Sequence, residues 1–415
     1  MRNVKVVIGA NFGDEGKGLM TDYFCSRFPK EKRVLNVRFN GGAQAGHTVV
    51  SPDGRRHIFG HFGAGSFLPN VATYLGPDFI VNPILFRREY EKLQRLGIYP
   101  MVYCHPRCLI TMPQDMMVNQ FIEKKRGNDR HGSCGVGIYE TILRNTYLKT
   151  DVLDAYCSDG MNADLNYYDA ERFERVINMK MDDHTKELMS NQNIMAHFRE
   201  DVLFMLGHVN ITDEKIFCKF DNVVFEGAQG LLLDQNNMDY FPHLTPSNTG
   251  IQNVIPYLDE DMMIEVCYVT RPYLTRHGAG YLPGECPREE VGAKIDLTNI
   301  DNEWQGSLRY GKLDLKDFCE RCHKDFEKIP FHDKDNVAIS AAATHLDEYA
   351  TKEDPYPTMA DEWVSGPVPN AINHFYDPFD NNYDSRGPER RDVCSIRSWI
   401  DGFGIGDRKE EVCSE

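Results

Sequence analysis

No run of 18 apolar residues occurs in the 415-residue chain, so a membrane-spanning helix is not expected. Met1 to Phe12 likewise lacks the long apolar stretch and small-residue cleavage site of a secretory leader, and a cytoplasmic location is the expectation. Basic charge is in short supply. Forty-six Lys and Arg stand against 63 Asp and Glu, a formal charge of -17, which argues against binding a nucleic-acid backbone but leaves mononucleotides open. No internal repeat is visible. The twelve cysteines lack the spacing of a disulfide framework. Cys319 and Cys322 make the one CxxC, followed by His323, and a zinc site there would need further ligands such as His332. The remaining cysteines read as thiols of a reducing compartment.

With 41% hydrophobic and 26% charged residues, the composition is that of an ordinary globular protein. Val4 to Ala10 reads as a buried strand, and it runs through NFGDEGKG into a helical pattern over Leu19 to Phe28. That order opens an α/β sheet. Further strands are expected at 34–39, 79–81, 101–103, 222–226, 263–268 and 336–340, and helices over 87–96 and much of 170–204, the latter interrupted near Asn191. The expectation is a single large α/β domain over 1–415, its mostly parallel twisted sheet flanked by helices and inserted subdomains. A largely helical insert is expected over 85–210 and long surface connections over 350–391, a stretch rich in Pro, Asp and Asn.

Gly9 to Gly18 carries the strongest chemical signal. Glycines let a backbone cradle phosphate, the next helix offers unpaired N–H groups, and Lys17 adds a point charge. The common phosphate loop has four residues before its Gly-Lys pair, whereas here there are six, including Asp14 and Glu15. Either acid is a candidate magnesium ligand or general base; the bland alternative is a solvated acidic turn. His47, between Gly46 and Thr48, suits acid chemistry. Ser133 and Cys134, in a second glycine cluster, are placed to meet another phosphate. Glu226 and Gln229 stand at a strand end, where Gln229 could read a base edge. Asp347 could accept from a purine N–H, or cap a helix.

GDEGKG, AGHT at 45–48, EGAQG with LLLD behind it, TPSNT at 245–249, TRHGAG at 275–280, THLD at 344–347 and SRGP at 385–388 together resemble the adenylosuccinate synthetase family, in family order and across nearly the whole chain. The resemblance implies a ligase joining L-aspartate to the six position of a purine nucleoside monophosphate, driven by a nucleoside triphosphate. It implies Asp14 as the base at purine N1, His47 at O6 and the transferred phosphoryl group, Lys17 on phosphate, and Mg2+ held by Asp14 and the Gly46 carbonyl. Gly13, Glu15, Gly16, Gly18, Thr48, Ser133, Cys134, Gln229 and Thr245 would bind nucleotide phosphates and acceptor. Arg144 would cross into the neighbouring site of a homodimer. His345, Asp347, Gly387 and Pro388 would surround the donor base.

Two departures stand out. His345 replaces the family lysine that packs on guanine, which opens ATP or dATP as donor. The aspartate loop is short, Asn302 to Asp314, with Arg309 and Ser307 as candidates for the substrate carboxylates, assisted by Arg276. Both features, with GPERRDV at 387–393, resemble the bacteriophage branch. Some of its members use (d)GMP and make a 2-amino-N6-succinyl product, and host cytoplasm would then be the location. An intact Asp14 counts against that branch and for IMP with GTP, which stands as the alternative; (d)GMP as acceptor with ATP or dATP as donor is the favoured expectation. A phosphate-loop regulator is the rival from another class.

Overall fold

The computed structural model describes residues 2–146, 151–157, 170–296, 299, 306–348, 379–385 and 387–397. The Val/Ile run forms β1, Asn3–Gly9, and the glycine loop leads into α1, Lys17–Arg27, then β2, Val34–Arg38. β1 lies inside a ten-stranded sheet, between strands Asn222–Glu226 and Met263–Thr270. Beyond Asn222–Glu226 come β2, Val71–Leu75, Val102–Cys104 and Asn210–Ile211. Beyond Met263–Thr270 come Val337–Ala343, Asn381–Ser385 and Val393–Arg397. Neighbours run parallel except Val393–Arg397, which is antiparallel. The fold is therefore the expected α/β class with a large, mostly parallel sheet. A smaller antiparallel sheet joins Tyr273–Arg276, Arg309–Lys312 and Glu285–Cys286.

Alternation along β1 sends Val6 and Ile8 to one face and Val7 to the other. Val6 and Ile8 pack in a cluster completed by Phe318, Cys322 and Phe326 of helix Leu315–Phe326. Val7 packs with Leu19, Met20 and Phe24 of α1. Each such apolar side chain contributes about 1.5–3 kcal/mol when fully buried, and together they fix the phosphate loop between sheet and helix. Because the strands around β1 are parallel, the loops that follow Gly9, Arg38, Glu226, Thr270 and Ala343 emerge along one edge, where α/β folds bind ligands.

Several expectations need correction. Val71–Leu75 has no counterpart among them, since all five of its residues are buried and leave no alternation to read. The expected strand near 79–81 shrinks to Ile80–Val81, paired with Leu109–Ile110 outside the main sheet. Helix Pro83–Arg95 starts before Arg87, with Asn82 accepting from the Leu85 N–H and proline in the first turn. The 170–204 pattern resolves into Ala170–Ile177, Asp183–Met189 and Gln192–Leu206, the last two capped by Asp182 and Asn191. The 85–210 region is rich in helices, yet its strands Val102–Cys104 and Asn210–Ile211 belong to the main sheet. Within 350–391, residues 350–378 lie outside the described residues, while Asn381–Ser385 is a largely buried sheet strand, not a surface connection. No helix among the described residues is long and apolar enough to cross a membrane. Cys322 is core, and no group of three or more His, Cys, Asp or Glu among the described residues is placed to hold a metal, which removes the Cys319, Cys322 and His323 zinc site.

Candidate active site

A cavity of about 1300 Å³ opens at the carboxyl edge of the sheet. Its walls include the phosphate loop and start of α1 (Gly13, Asp14, Glu15, Gly16, Lys17, Gly18), Gly46, His47 and Thr48, the second glycine loop with Ser133 and Cys134, Gln229 and Thr245, Arg276, and the distal pairs His345 with Asp347 and Gly387 with Pro388. Residues separated by more than 350 positions thus share one space.

Two glycines make this packing feasible. A Cβ on Gly16 would stand 2.9 Å from the Thr344 methyl, and one on Gly18 would stand 2.9 Å from the His47 Cβ. Gly16 also has φ 89, a conformation in which side chains are strained. The loop is thereby pressed against Thr344, whose hydroxyl donates to the Glu15 carbonyl at 2.8 Å. Strand His47–Val50 lies against α1.

The two loop acids have different surroundings. Glu15 is buried and turned inward, accepting from the backbone N–H groups of Asn11 at 2.6 Å and Gly13 at 3.2 Å and from Lys17 Nζ at 3.2 Å. Burial pushes its carboxyl up, opposed by Lys17 and the backbone donors. Glu15 is therefore turned into the loop, beside Lys17, and not toward a magnesium site, while Lys17 lines the cavity with its charge shared with Glu15. Asp14 adopts φ 61 and keeps a part-exposed carboxylate, 3.5 Å from His277 Nε2. The first N–H groups of α1 have no intrahelical partner and remain suited to an anion.

His47 is buried, and its Nδ1 hydrogen-bonds the Glu226 carboxylate. Glu226, fully buried at the end of its strand, also accepts from Asn36 at 2.9 Å and the Ala64 N–H at 3.0 Å, with Arg38 at 3.9 Å. Burial raises the Glu226 carboxyl, but Arg38 and the His47 contact outweigh it and hold the group below the usual range. An ionised Glu226 accepts Nδ1–H and leaves Nε2 for the cavity. Burial, then Arg38, pushes the imidazole down to about 4 against the pull of Glu226, so it is neutral at pH 7. Sequence reasoning placed Glu226 at a strand end and gave it no role; a charged residue closing an apolar strand was the available signal.

The nucleotide wall is less committed. The Gln229 side-chain oxygen and Thr48 hydroxyl are buried with no partner among the described residues. Ser133 donates to Asn119 Oδ1 at 2.8 Å, and burial pushes the Cys134 thiol up to about 11, leaving it inert. His345, at φ 63, bonds the Thr344 hydroxyl through Nδ1 at 2.8 Å; burial, then Arg271, lowers its proton affinity well below normal. Arg271, Lys294 and Glu348 line the cavity as well and were not anticipated.

Three nominated residues lie elsewhere. Arg144 is buried in its own subunit, donating through Nε to Asp115 Oδ1 at 3.0 Å and through Nη2 to Asp115 Oδ2 at 2.9 Å. It does not extend toward a neighbour. Arg144→Leu is expected to lower unfolding stability by about 3–5 kcal/mol, because Asp115 would stay buried without its cation, and Asp115→Asn in the same chain should recover part of the loss. Denaturant titration checks this; unchanged stability would contradict it. Arg309 and Ser307 line a neighbouring hollow of about 570 Å³, where Arg309 holds Glu285 through two bonds of 2.8 and 2.6 Å. Asp296 and Asn299 border both spaces. Arg276 does reach the main cavity, but its guanidinium donates to the carbonyls of Tyr281 at 2.7 Å and His243 at 2.8 Å.

The sequence profile of the adenylosuccinate synthetase family matches residues 6–315. The chain is 30% identical over 304 residues to an adenylosuccinate synthetase of Acaryochloris marina, covering 71% of this chain and 65% of that protein. A Picosynechococcus relative is 31% identical over 311 residues, covering 72% and 68%. The matched segment thus spans about two thirds of its curated relatives. The fold resembles fully ligated adenylosuccinate synthetase from Plasmodium falciparum, with a TM-score of 0.65 at 18% identity over 94% of this chain and 99% of that one. It also resembles cyanophage S-2L succinoaminodeoxyadenylate synthetase bound to dGMP and dATP, with a TM-score of 0.60 at 16% identity over 95% of each. The chain belongs to the adenylosuccinate synthetase family.

Proposed function

We propose that the protein is a purine nucleotide:L-aspartate ligase using a nucleoside triphosphate. The observation that carries this reading is the meeting, in one cavity, of a part-exposed Asp14 on a phosphate loop with His47 oriented by Glu226. A purine carbonyl oxygen is a poor leaving group until phosphorylated. Asp14 takes the N1 proton while O6 attacks the γ-phosphorus and the nucleoside diphosphate leaves; the aspartate amine then displaces the 6-phosphoryl group as inorganic phosphate. His47 donates from Nε2 to the oxygen where charge develops only once it has taken up a second proton, and the ionised Glu226 at Nδ1 stabilises the imidazolium that forms.

Asp14 and the Gly46 carbonyl are hard oxygen donors lining the same space, and with nucleotide phosphates and water they fit a magnesium ion. When bound, Mg2+ supplies Lewis-acid stabilisation of the phosphoryl charge. The substrate carboxylates have Arg276 in the main cavity and, if Glu285 gives way, Arg309 next to it. The active form is a homodimer in which Arg144, held by Asp115, is not the residue exchanged between subunits.

For the acceptor, the 30–31% identical relatives favour IMP and the adenylosuccinate reaction. A second reading, (d)GMP with ATP or dATP, has the support of His345 in the position of the family lysine and of the fold shared with the dGMP- and dATP-bound cyanophage enzyme. Mass analysis of products from IMP, GMP and dGMP, each with aspartate, magnesium and ATP or GTP, separates the two. Exclusive use of IMP would reject the second. Nucleotide hydrolysis without aspartate or a purine monophosphate would reject both in favour of a regulator.

A further inference from the structure

Beside the second glycine loop, helix Pro113–Arg126 carries Asp115, Asn119 and Glu123, and helix Ile138–Asn145 brings Glu140 against them. Asp115 is neutralised by Arg144 at 2.9 Å and Glu123 by Arg126 at 2.6 Å. Glu140 has no ion-pair partner among the described residues. It is 3% exposed, lines the cavity, and accepts from Asn119 Nδ2 at 3.1 Å through Oε1, while Oε2 is buried with no partner among the described residues. The Asn119 carbonyl oxygen in turn accepts the Ser133 hydroxyl at 2.8 Å.

The direction of this chain of hydrogen bonds decides what Ser133 offers a ligand. Running from Ser133 through Asn119 to a carboxylate, it consumes the hydroxyl proton, and Ser133 presents only lone pairs. That arrangement repels a phosphate. With a proton on Glu140, the Asn119 amide can turn over: the carboxyl donates to Asn119 Oδ1, Nδ2 donates to Ser133 Oγ, and the Ser133 hydroxyl is free to donate into the cavity.

We propose that Glu140, acting through Asn119, is a proton-operated switch that makes Ser133 a donor to the 5'-phosphate of the acceptor nucleotide, so that one proton is taken up as the phosphate binds. This rests on the reading that the Ser133 loop receives that phosphate. Burial, opposed chiefly by the Asn119 bond, raises the Glu140 carboxyl to about 7, within reach of physiological change. Among the described residues, the charged and titratable groups that act on it are Asp115 and Arg126 on the facing helix, paired with Arg144 and Glu123, and Cys134 on the loop. The two ion pairs among them cancel locally, and the Cys134 thiol stays protonated. An arriving dianion favours the protonated carboxyl further.

The test is calorimetric titration of the full chain with IMP and GMP, and with their nucleosides, from pH 6.5 to 8.5 in buffers of different ionisation enthalpy. Above pH 7 the phosphate is already a dianion, its second pKa being about 6. Monophosphate affinity should fall about tenfold per pH unit above 7, with uptake of about one proton. Glu140→Gln, whose uncharged amide has a donor available at every pH, should bind with the low-pH affinity throughout and take up no proton through this group. Ser133→Ala and Asn119→Ala should bind weakly at every pH with little slope, and they keep the test valid if the Gln variant folds poorly. An unchanged slope in Glu140→Gln with weak binding by Ser133→Ala would overturn the switch while preserving the phosphate site. Nucleosides binding as tightly as monophosphates, with Ser133→Ala unaffected, would overturn the phosphate site itself.

Discussion

Asp14→Asn is expected to reduce turnover by at least about 10³-fold, within the range for loss of a positioned acid or base, while acceptor affinity changes little. The substitution is chosen for the backbone as much as for the charge. Asp14 sits at φ 61, a region Asn tolerates better than most residues, so the loop should keep its shape. The Arg271 guanidinium contacts the Asp14 backbone carbonyl, not its carboxylate, and that anchor survives. On the proposed mechanism, what disappears is the proton acceptor and one anionic oxygen ligand for magnesium. Steady-state product formation with purified, folded variant, alongside calorimetric binding of the acceptor, measures both halves. Wild-type-like turnover would remove Asp14 from the chemistry. Lost acceptor binding would make it a structural element of the pocket.

Glu226→Gln should lower kcat by about 10²–10⁴-fold with smaller changes in the KM values. The carboxylate selects the His47 tautomer through Nδ1, and the replacement amide can present its NH2 group to that nitrogen, which moves the ring proton to Nε2. The same change leaves Arg38, fully buried, without its anionic neighbour, and a loss of about 3–5 kcal/mol in stability is expected from that alone. Kinetics must therefore be read below the variant's unfolding transition. His47→Gln separates the two effects, since it removes the imidazole but preserves the Arg38 and Glu226 pair. Equal kinetic losses in the two variants place Glu226 and His47 in one unit. A fully active Glu226→Gln would leave His47 oriented by something else.

Both residues illustrate what could and could not be read locally. β1, the glycine loop and α1 are adjacent in the chain, and their hydrophobic pattern and glycines announce them. The strand ending at Glu226 was equally legible because Val223, Val224 and Phe225 form an apolar run between Asn222 and Glu226. Asn381–Ser385 was not. Its sequence, NNYDS, is polar, and it becomes a strand because the edge of Val337–Ala343 offers it a backbone ladder. The short strand Val71–Leu75 is likewise defined by β2 beside it.

By itself, the sequence determined the α/β order of the opening segment, the family, and the group of residues from which a site would be drawn, since these depend on side-chain pattern and near neighbours. Only the tertiary structure decided which charges remain available. Lys17 shares its charge with Glu15, Arg144 is taken by Asp115 and Arg309 by Glu285, whereas His47 gains Glu226 from 179 positions away. Ion pairing and desolvation depend on distances of a few ångströms in the folded chain, and residue spacing does not encode those distances. The opening loop shows both sides. Its glycines and two acids are plain in the sequence, but burial alone separates Glu15, a counterion sealed in the loop, from Asp14, the carboxylate left facing the cavity.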